Sequence, residues 1–220
     1  MNTKERLLLI DTCGETAGVA LSEGLQVLAC EELARGSASA EIVSAVRRLL
    51  EQVGWRLADL SAVGVVNGPG SFTGMRAGLA TAKGLCEAAG LAMAVVSRLE
   101  VLADAASLQQ GIVALDAGRG ELYVRDIEAG RERLCSSDDM AGVCDGRPLV
   151  VAEARIAERL AMYEPALYPL HVGDALRVVI RHLKEGGSDV SLVDANYVRE
   201  ESDLYSKPKD VAKDPLAGAR

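Results

Sequence analysis

Continuous apolar runs separated by short glycine-bearing turns open the chain. Leu7–Ile10 is uninterrupted and stops at Asp11, which predicts a buried strand. Ala17–Leu21 and Leu25–Leu33 follow after short turns, and each predicts a further strand. Because tight turns join antiparallel neighbours, the chain is predicted to begin with a three-stranded antiparallel sheet.

After residue 38 the apolar spacing becomes helical. Ser39 is predicted to be the N-cap of a helix that ends at Val53, before Gly54. Apolar residues recur every three or four positions, which predicts that one face of this helix packs on a core. These positions are Ile42, Val43, Val46, Leu49, Leu50 and Val53.

A strand, a glycine-rich loop and a long helix follow. Ala62–Val66 predicts a strand, and the loop Gly68–Gly74 leads into a helix with Thr73 as its predicted cap. The helix is predicted to end at Ala89, and Leu91–Val96 predicts the next strand. This strand–helix–strand order predicts that part of the sheet is parallel.

The opening pattern recurs in the second half of the chain. After a helix capped by Ser97, Ile112–Leu115 predicts a strand that stops at Asp116, and a glycine turn leads to a return strand at Glu121–Val124. The repetition predicts two related lobes, residues 1–107 and residues 108–199, with the second reduced, and a mobile tail over residues 200–220. Later elements are predicted as a strand at Pro148–Ala152 and helices at Arg155–Met162 and Val172–Lys184.

Composition and charge narrow the classes of function. The chain of 220 residues is 49% hydrophobic, enough for a sizeable core, and has a formal net charge of −8. That charge argues against strong direct binding of a nucleic acid, so a partner is predicted to hold any nucleic acid. The five cysteines form no Cys-x-x-Cys pair, which argues against a zinc site. No apolar run is long enough for a signal peptide or a membrane span, which predicts a cytoplasmic protein.

Several segments together resemble the bacterial TsaB (YeaZ) family. They are Leu9–Thr12, Gly68–Arg76 and Asp116–Tyr123, and Asn196–Arg199 is similar to the family's short C-terminal motif. The resemblance implies an α/β fold of the two-lobed actin-like (ASKHA, ribonuclease H-like) type with mixed sheets. It also implies an accessory, non-catalytic subunit in the synthesis of threonylcarbamoyladenosine at position 37 of tRNA. In the family this subunit binds the catalytic paralogue TsaD, a small ATPase called TsaE joins them, and the isolated subunit is expected to form a homodimer.

The Gly68–Gly74 loop allows two interpretations. A helix N-terminus after a glycine turn presents free N–H groups, which is typical of an anion-binding site. However, no Lys-Ser or Lys-Thr pair follows Gly74, so this is not a Walker A loop, and Phe72 is an unusual neighbour for a phosphate. These two features favour a rigid elbow that sets the direction of the following helix.

The helix after the loop is rich in small residues, including Gly78 and Gly84, which indicates close approach of another backbone. The neighbour is either the protein's own sheet or a helix of a partner, and the resemblance favours the partner. It implies that this helix and the Ser39–Val53 helix bind TsaD. The candidate partner-binding residues are Ser39, Ile42, Val43, Val46, Gly70, Ser71, Phe72, Thr73, Met75, Arg76, Leu79, Ala80 and Lys83.

Asp11 and Asp116 stand where the superfamily carries the acids of its two phosphate loops. With Thr12 they are predicted to mark a vestigial nucleotide cleft that holds no cofactor. The alternatives to the scaffold are an ATP-dependent phosphotransferase of the small-molecule kinase type and a self-associating actin-like module with another partner. The sequence predicts no metal site, because His171 and His182 lack metal-ligand spacing. It predicts no catalytic residues, because no Ser–His–Asp or Cys–His arrangement can be argued from it.

Overall fold

A computed structural model describes residues 5–34, 36, 38–194, 196 and 198 of the chain. The first sheet is built from β1 (Arg6–Asp11), β2 (Ala17–Glu23), β3 (Gln26–Leu33), β4 (Ala62–Val66) and β5 (Ala92–Val96). Its strand order is β3-β2-β1-β4-β5, antiparallel from β3 to β1 and parallel from β1 to β5. The predicted antiparallel start and the predicted parallel portion are both confirmed.

The second sheet repeats this arrangement. It contains β6 (Ile112–Gly118), β7 (Glu121–Asp126), β8 (Arg131–Ser136), β9 (Leu149–Val151) and β10 (Ala166–Leu167). Read from β8, the order is β8-β7-β6-β9-β10, with the first two pairs antiparallel and the last two parallel. The two mixed sheets confirm the predicted α/β fold class with related lobes. The sequence pattern does not reveal β8, which is mostly polar, or β10, which has two residues.

The described residues form six α-helices, some of which begin elsewhere than predicted. They are α1 (Ala38–Val53), α2 (Phe72–Ala89), α3 (Arg98–Ala105), α4 (Met140–Cys144), α5 (Ala154–Arg159) and α6 (Leu176–Lys184). The prediction that Ser39 caps α1 is wrong, because Ser39 already lies in the first helical turn. Thr73 does not cap α2 either. Ser71 does, since its Oγ accepts a hydrogen bond from Gly74 N–H at 3.2 Å.

Two other helix boundaries follow the predicted chemistry. Gly90 ends α2 in a left-handed conformation with φ of +64°, which a glycine adopts without a Cβ clash. Ser97 caps α3, with its Oγ accepting from Leu99 N–H at 3.2 Å. The two late helices are shorter than predicted, because each is divided between an α-helix and a 3₁₀ turn, at Ala161–Tyr163 and Val172–Ala175.

The late helix α6 returns to the first sheet. Val178 and Val179 are buried in one core with the residues of β1 and β4. A Cβ at Gly64 of β4 would lie 2.5 Å from the methyl groups of Val179, so the missing side chain makes room for α6. The first core therefore includes residues beyond 171, while the division of the chain at residues 107 and 108 stays a prediction.

The predicted tail over residues 200–220 lies outside the described residues. Within the described part of the chain, no helix combines the length and the apolar character that crossing a membrane requires.

Candidate functional site in the interlobe cleft

A cavity of about 250 Å³ is lined by residues from both halves of the chain. Its walls come from the β1–β2 turn, the elbow before α2, the start of α3 and the loop after β9. Of the predicted nucleotide-cleft residues, Thr12 and Asp116 line it. Predicted partner-binding residues also line it, namely Ser39, Gly70, Ser71 and Thr73. The structure thus brings part of each predicted set to one cleft, while Asp11 and the remaining partner-binding candidates do not line it.

The two superfamily acids occupy equivalent turns at the ends of the central strands. Asp11 accepts a hydrogen bond at Oδ1 from Cys13 N–H at 2.9 Å, and Asp116 accepts one from Gly118 N–H at 3.1 Å. Each carboxylate therefore bonds the amide two residues further on, as turn-forming aspartates commonly do. This shared turn shows that the sequence repetition reflects a structural one.

The floor of the cleft holds a buried ion pair that sequence reasoning missed. Arg98, the first residue of α3, lies 3.3 Å through Nη1 from Oε1 of Glu153, and both side chains are more than nine-tenths buried. Glu153 also accepts a hydrogen bond from Asp116 N–H at 3.4 Å. The pair therefore connects the first lobe to the turn that carries the second acid.

Burial and charge compete at these carboxyl groups. Burial raises the pKa of Asp11 above its usual range, and the positive charge of Arg98 opposes the shift. Burial likewise raises the pKa of Glu153, again against the charge of Arg98. One guanidinium faces two buried carboxyl groups, so it cannot fully compensate both negative charges.

The second acid is held by two other arginines. Arg155 Nη2 lies 2.9 Å from Asp116 Oδ2 and also 3.1 Å from Glu15 Oε1. Arg159 Nη2 approaches Asp116 Oδ1 to 3.8 Å. Asp116 is thus paired with arginines of the same chain, whereas Asp11 feels the charge of Arg98 without forming an ion pair with it. Among the described residues, no three His, Cys, Asp or Glu side chains form a group able to hold a metal ion.

One sequence signal could have indicated Arg98. A cation in the first turn of a helix interacts unfavourably with the helix dipole, so Arg98 at this position predicts a nearby acidic side chain. The partner, Glu153, carries no comparable signal, because its contact with Arg98 spans 55 residues of chain.

The elbow before α2 is tied to its own chain on both sides. Ser71 N–H donates to Cys13 O at 2.8 Å, and Arg98 N–H donates to Gly68 O at 2.6 Å. The Cys13 thiol donates to Val66 O and accepts from Gly68 N–H, each at 3.1 Å. These bonds favour the rigid-elbow interpretation over the anion-binding one, because they use the loop's polar groups internally.

The glycines of α2 lie in two different environments, one packed against the protein's own chain and one open. A Cβ at Gly78 would lie 2.3 Å from Thr12 Oγ1, so this glycine lets the helix approach its own β1–β2 turn. The expectation that a partner backbone explains Gly78 is therefore wrong. A Cβ at Gly84 would meet no atom within 4 Å, so the outer face of the helix is open there.

Four of the predicted partner-binding residues belong to the protein's own core. Ile42, Val46, Met75 and Leu79 are at most 6% exposed, which contradicts their assignment to a partner surface. The physical reason is that apolar residues at helical spacing on α1 and α2 face the first sheet.

The other candidates on the two helices are accessible. Val43 is 59% and Phe72 50% exposed, and Arg76 and Ala80 are also exposed. The guanidinium carbon of Arg76 lies 3.9 Å from the centroid of the Phe72 ring, a cation–π arrangement. Lys83 is half-buried, and its Nζ donates to Val193 O at 2.5 Å.

Comparisons with known proteins agree with this architecture. A family model described as "TsaD: tRNA N6-adenosine threonylcarbamoyltransferase" matches residues 31–164. The chain is 34% identical over 152 residues to the tRNA threonylcarbamoyladenosine biosynthesis protein TsaB of Escherichia coli K12, covering 67% of this chain and 65% of that protein, just under two thirds. It is 30% identical over 206 residues to TsaB of Haemophilus influenzae, covering 88% of this chain and 83% of that protein.

A solved structure extends the comparison to nearly the whole fold. A crystal structure of an uncharacterized Pseudomonas aeruginosa protein with similarity to peptidase YEAZ has a TM-score of 0.73 and 26% identity. The match covers 89% of this chain and 100% of that one. Both lobes therefore have counterparts in that structure.

Proposed function

Because the chain belongs to the TsaB (YeaZ) family of actin-like fold, we propose that it acts in tRNA threonylcarbamoyladenosine biosynthesis as a non-catalytic subunit. In this role it binds TsaD and activates it for threonylcarbamoyl transfer to adenosine 37 of tRNA. TsaE joins the pair, the isolated subunit forms a homodimer, and the complex works in the cytoplasm. TsaD holds the tRNA, since the net charge of −8 disfavours a phosphate-binding surface on this subunit.

The observation that carries the proposal is the position of Arg98. Its guanidinium pairs with Glu153 and acts electrostatically on Asp11, so it occupies the region between the two lobes with a fixed positive charge. Asp116 is engaged by Arg155. In a phosphotransferase, carboxylates at these positions would be available to a metal–nucleotide complex, whereas here Arg155 pairs with Asp116 and the charge of Arg98 lies near Asp11.

The accessible face of α1 and α2 supports the choice of partner surface. Val43 and Phe72 present apolar side chains to solvent. Ala80 is exposed in the middle of α2, and its short side chain allows another helix to approach closely. Exposed aromatic residues beside an arginine, as at Phe72 and Arg76, are typical of interface anchors. Helix-on-helix packing against this face is therefore the expected mode of binding.

Co-purification tests the proposal. The chain and its cognate TsaD are co-expressed and separated by size exclusion, with and without TsaE and ATP. Co-elution is the expected result, and separate elution under every condition would refute the scaffold role. Depletion of this chain in its host should also reduce threonylcarbamoyladenosine in total tRNA, and an unchanged nucleoside level would reject the pathway.

Calorimetry distinguishes the alternative function. If the chain were a phosphotransferase, Mg-ATP would bind the isolated protein, and Asp11→Asn would abolish that binding. We expect no heat of binding from either protein, because Arg98 acts electrostatically on Asp11 and Arg155 pairs with Asp116.

A further inference from the structure

We propose that residues 187–194, together with Asn196, form a strap that couples the second lobe to helix α2 and thereby holds the outer face of α2 in place. The coupling itself is a property of this chain alone. Its effect on partner binding rests on the function proposed above and concerns the regulation of that same surface.

The strap begins as an extra edge on the first sheet. Ser188 N–H donates to Met93 O at 2.7 Å, and Ser188 Oγ accepts from Val95 N–H at 3.2 Å. Gly187 allows this contact, because a Cβ there would lie 2.8 Å from Met93 O. The segment is therefore attached to β5 by one backbone hydrogen bond and one bond to a serine side chain.

The middle of the strap is held by two side chains of the first lobe. Lys83 of α2 donates to Val193 O at 2.5 Å, and Asn67 after β4 donates through Nδ2 to Asp194 O at 2.7 Å. Asn67 is 4% exposed, and its Oδ1 has no hydrogen-bond partner among the described residues. Leaving a buried amide group without a partner is unfavourable, and the bond to the strap satisfies the donor end of this side chain.

The end of the strap reaches the second lobe. Asn196 Nδ2 donates to Glu132 Oε2 of β8 at 3.3 Å. The other oxygen of Glu132 accepts from Ser97 Oγ at 2.5 Å and from Arg125 Nη1 at 2.9 Å. Glu132 therefore joins the strap, the N-cap of α3 and a neighbouring strand of the second sheet.

These contacts predict a mechanical link between distant elements. A rotation of the second lobe would displace Glu132 and Asn196, and the strap would transmit the displacement to Val193 and Lys83. Lys83 lies on the same side of α2 as Phe72 and Arg76, according to a helical periodicity of 3.6 residues per turn. The orientation of the proposed partner surface thus depends on the contact between the lobes.

Hydrogen exchange of the full chain tests the coupling without any partner. Asn196→Ala removes a side chain that has no described contact with α2, and Gln110→Ala in an exposed loop is the matched control. We expect Asn196→Ala to raise amide exchange in α2 by about three- to tenfold, the effect of one lost hydrogen bond, with no change in β2. Lys83→Met should give the same localised rise, and Lys184→Met should not.

The outcomes separate the strap from the scaffold role. Unchanged α2 exchange in both Asn196→Ala and Lys83→Met would overturn the strap, and so would an equal rise throughout the protein. Titration of TsaD should show affinity weakened by about threefold or more in Asn196→Ala, in line with the same lost bond. If the wild-type chain fails to bind TsaD, the scaffold role is wrong while the exchange result still decides the strap.

Discussion

Thr12 Oγ1 donates a hydrogen bond of 2.6 Å to the carbonyl oxygen of Gly74, joining the end of β1 to the first turn of α2. A Cβ at Gly74 would lie 1.9 Å from Thr12 O. The bond and the close approach together fix the direction of α2 relative to the first sheet. The elbow therefore acts through contact with the β1–β2 turn as well as through its own stiffness.

The two glycines in the middle of α2 should respond oppositely to the same substitution. We expect Gly78→Ala to lower the free energy of unfolding by about 1–3 kcal/mol, because the new methyl group overlaps Thr12 Oγ1. Gly84→Ala should raise it by about 0.5–1 kcal/mol, because that position is open and alanine favours helix. Urea denaturation followed by circular dichroism measures both. Equal effects of the two substitutions would show that Gly78 does not serve the close contact.

The buried ion pair should be costly to break and much less costly to replace. Arg98→Met leaves Asp11 and Glu153 buried without their cation, so we expect a loss of about 3–5 kcal/mol in unfolding free energy. The double variant Arg98→Met with Glu153→Leu should recover part of this loss, because it also removes one buried carboxyl group. A double variant less stable than Arg98→Met alone would contradict this account of the cleft floor.

The raised pKa of Glu153 gives a pH signature. A carboxyl whose pKa rises on folding stabilises the protein most below its unfolded pKa, about 4.3, and loses this effect as the pH rises through the folded pKa. The unfolding free energy of the wild type minus that of Glu153→Gln should therefore decrease as the pH rises from about 4 through the raised pKa of Glu153. Urea denaturation at each pH measures this difference.

Glu100 provides a control of opposite sign. Burial raises the pKa of Glu100, but hydrogen bonds from Arg181 and His182 outweigh it and bring the pKa below the usual value. Its stabilising effect is therefore present above the unfolded pKa and lost as the pH falls through the folded pKa. The stability difference between the wild type and Glu100→Gln should shrink on acidification, and parallel curves for the two glutamates would contradict the assignment.

The thiols should differ sharply in reactivity. Cys30 is exposed on the edge strand β3, whereas the other four cysteines are buried. Burial raises the pKa of Cys86 to about 11 and raises that of Cys13 further, which suppresses the reactive thiolate. A disulfide reagent should therefore modify one thiol quickly in the native protein and five in denaturant. Cys30→Ser should remove the fast phase, and a fast phase that persists would contradict the burial of the other thiols.

Local sequence patterns predicted most of the first lobe. The runs Leu7–Ile10 and Ala62–Val66 are apolar without interruption, so their burial follows from composition alone. The strand–acid–turn pattern of the chain's start recurs at Asp116, and this repetition predicted a second lobe. Polar strand β8 escaped detection because its charged side chains pair with residues distant in sequence, such as Glu132 with Asn196.

The sequence predicted the acidic residues of the site but not the buried ion pair beside them. Asp11 and Asp116 follow strands and are visible as motifs. Arg98 and Glu153 meet only after the chain has folded both sheets, so no local pattern joins them. On α1 and α2, the sequence identified the right helices for a surface, but periodicity alone could not separate buried Leu79 from exposed Ala80.

Calorimetric titration of TsaD into the isolated chain tests the central claim most directly. The wild type and Ala58→Arg, a substitution at an exposed position in the 3₁₀ turn Leu57–Asp59 and outside α1 and α2, should bind TsaD with the same affinity. Ala80→Arg should fold normally and weaken binding by at least about tenfold, since a bulky charge on the outer face of α2 blocks close helix packing. Equal binding by all three proteins, or no binding by the wild type, would contradict the account.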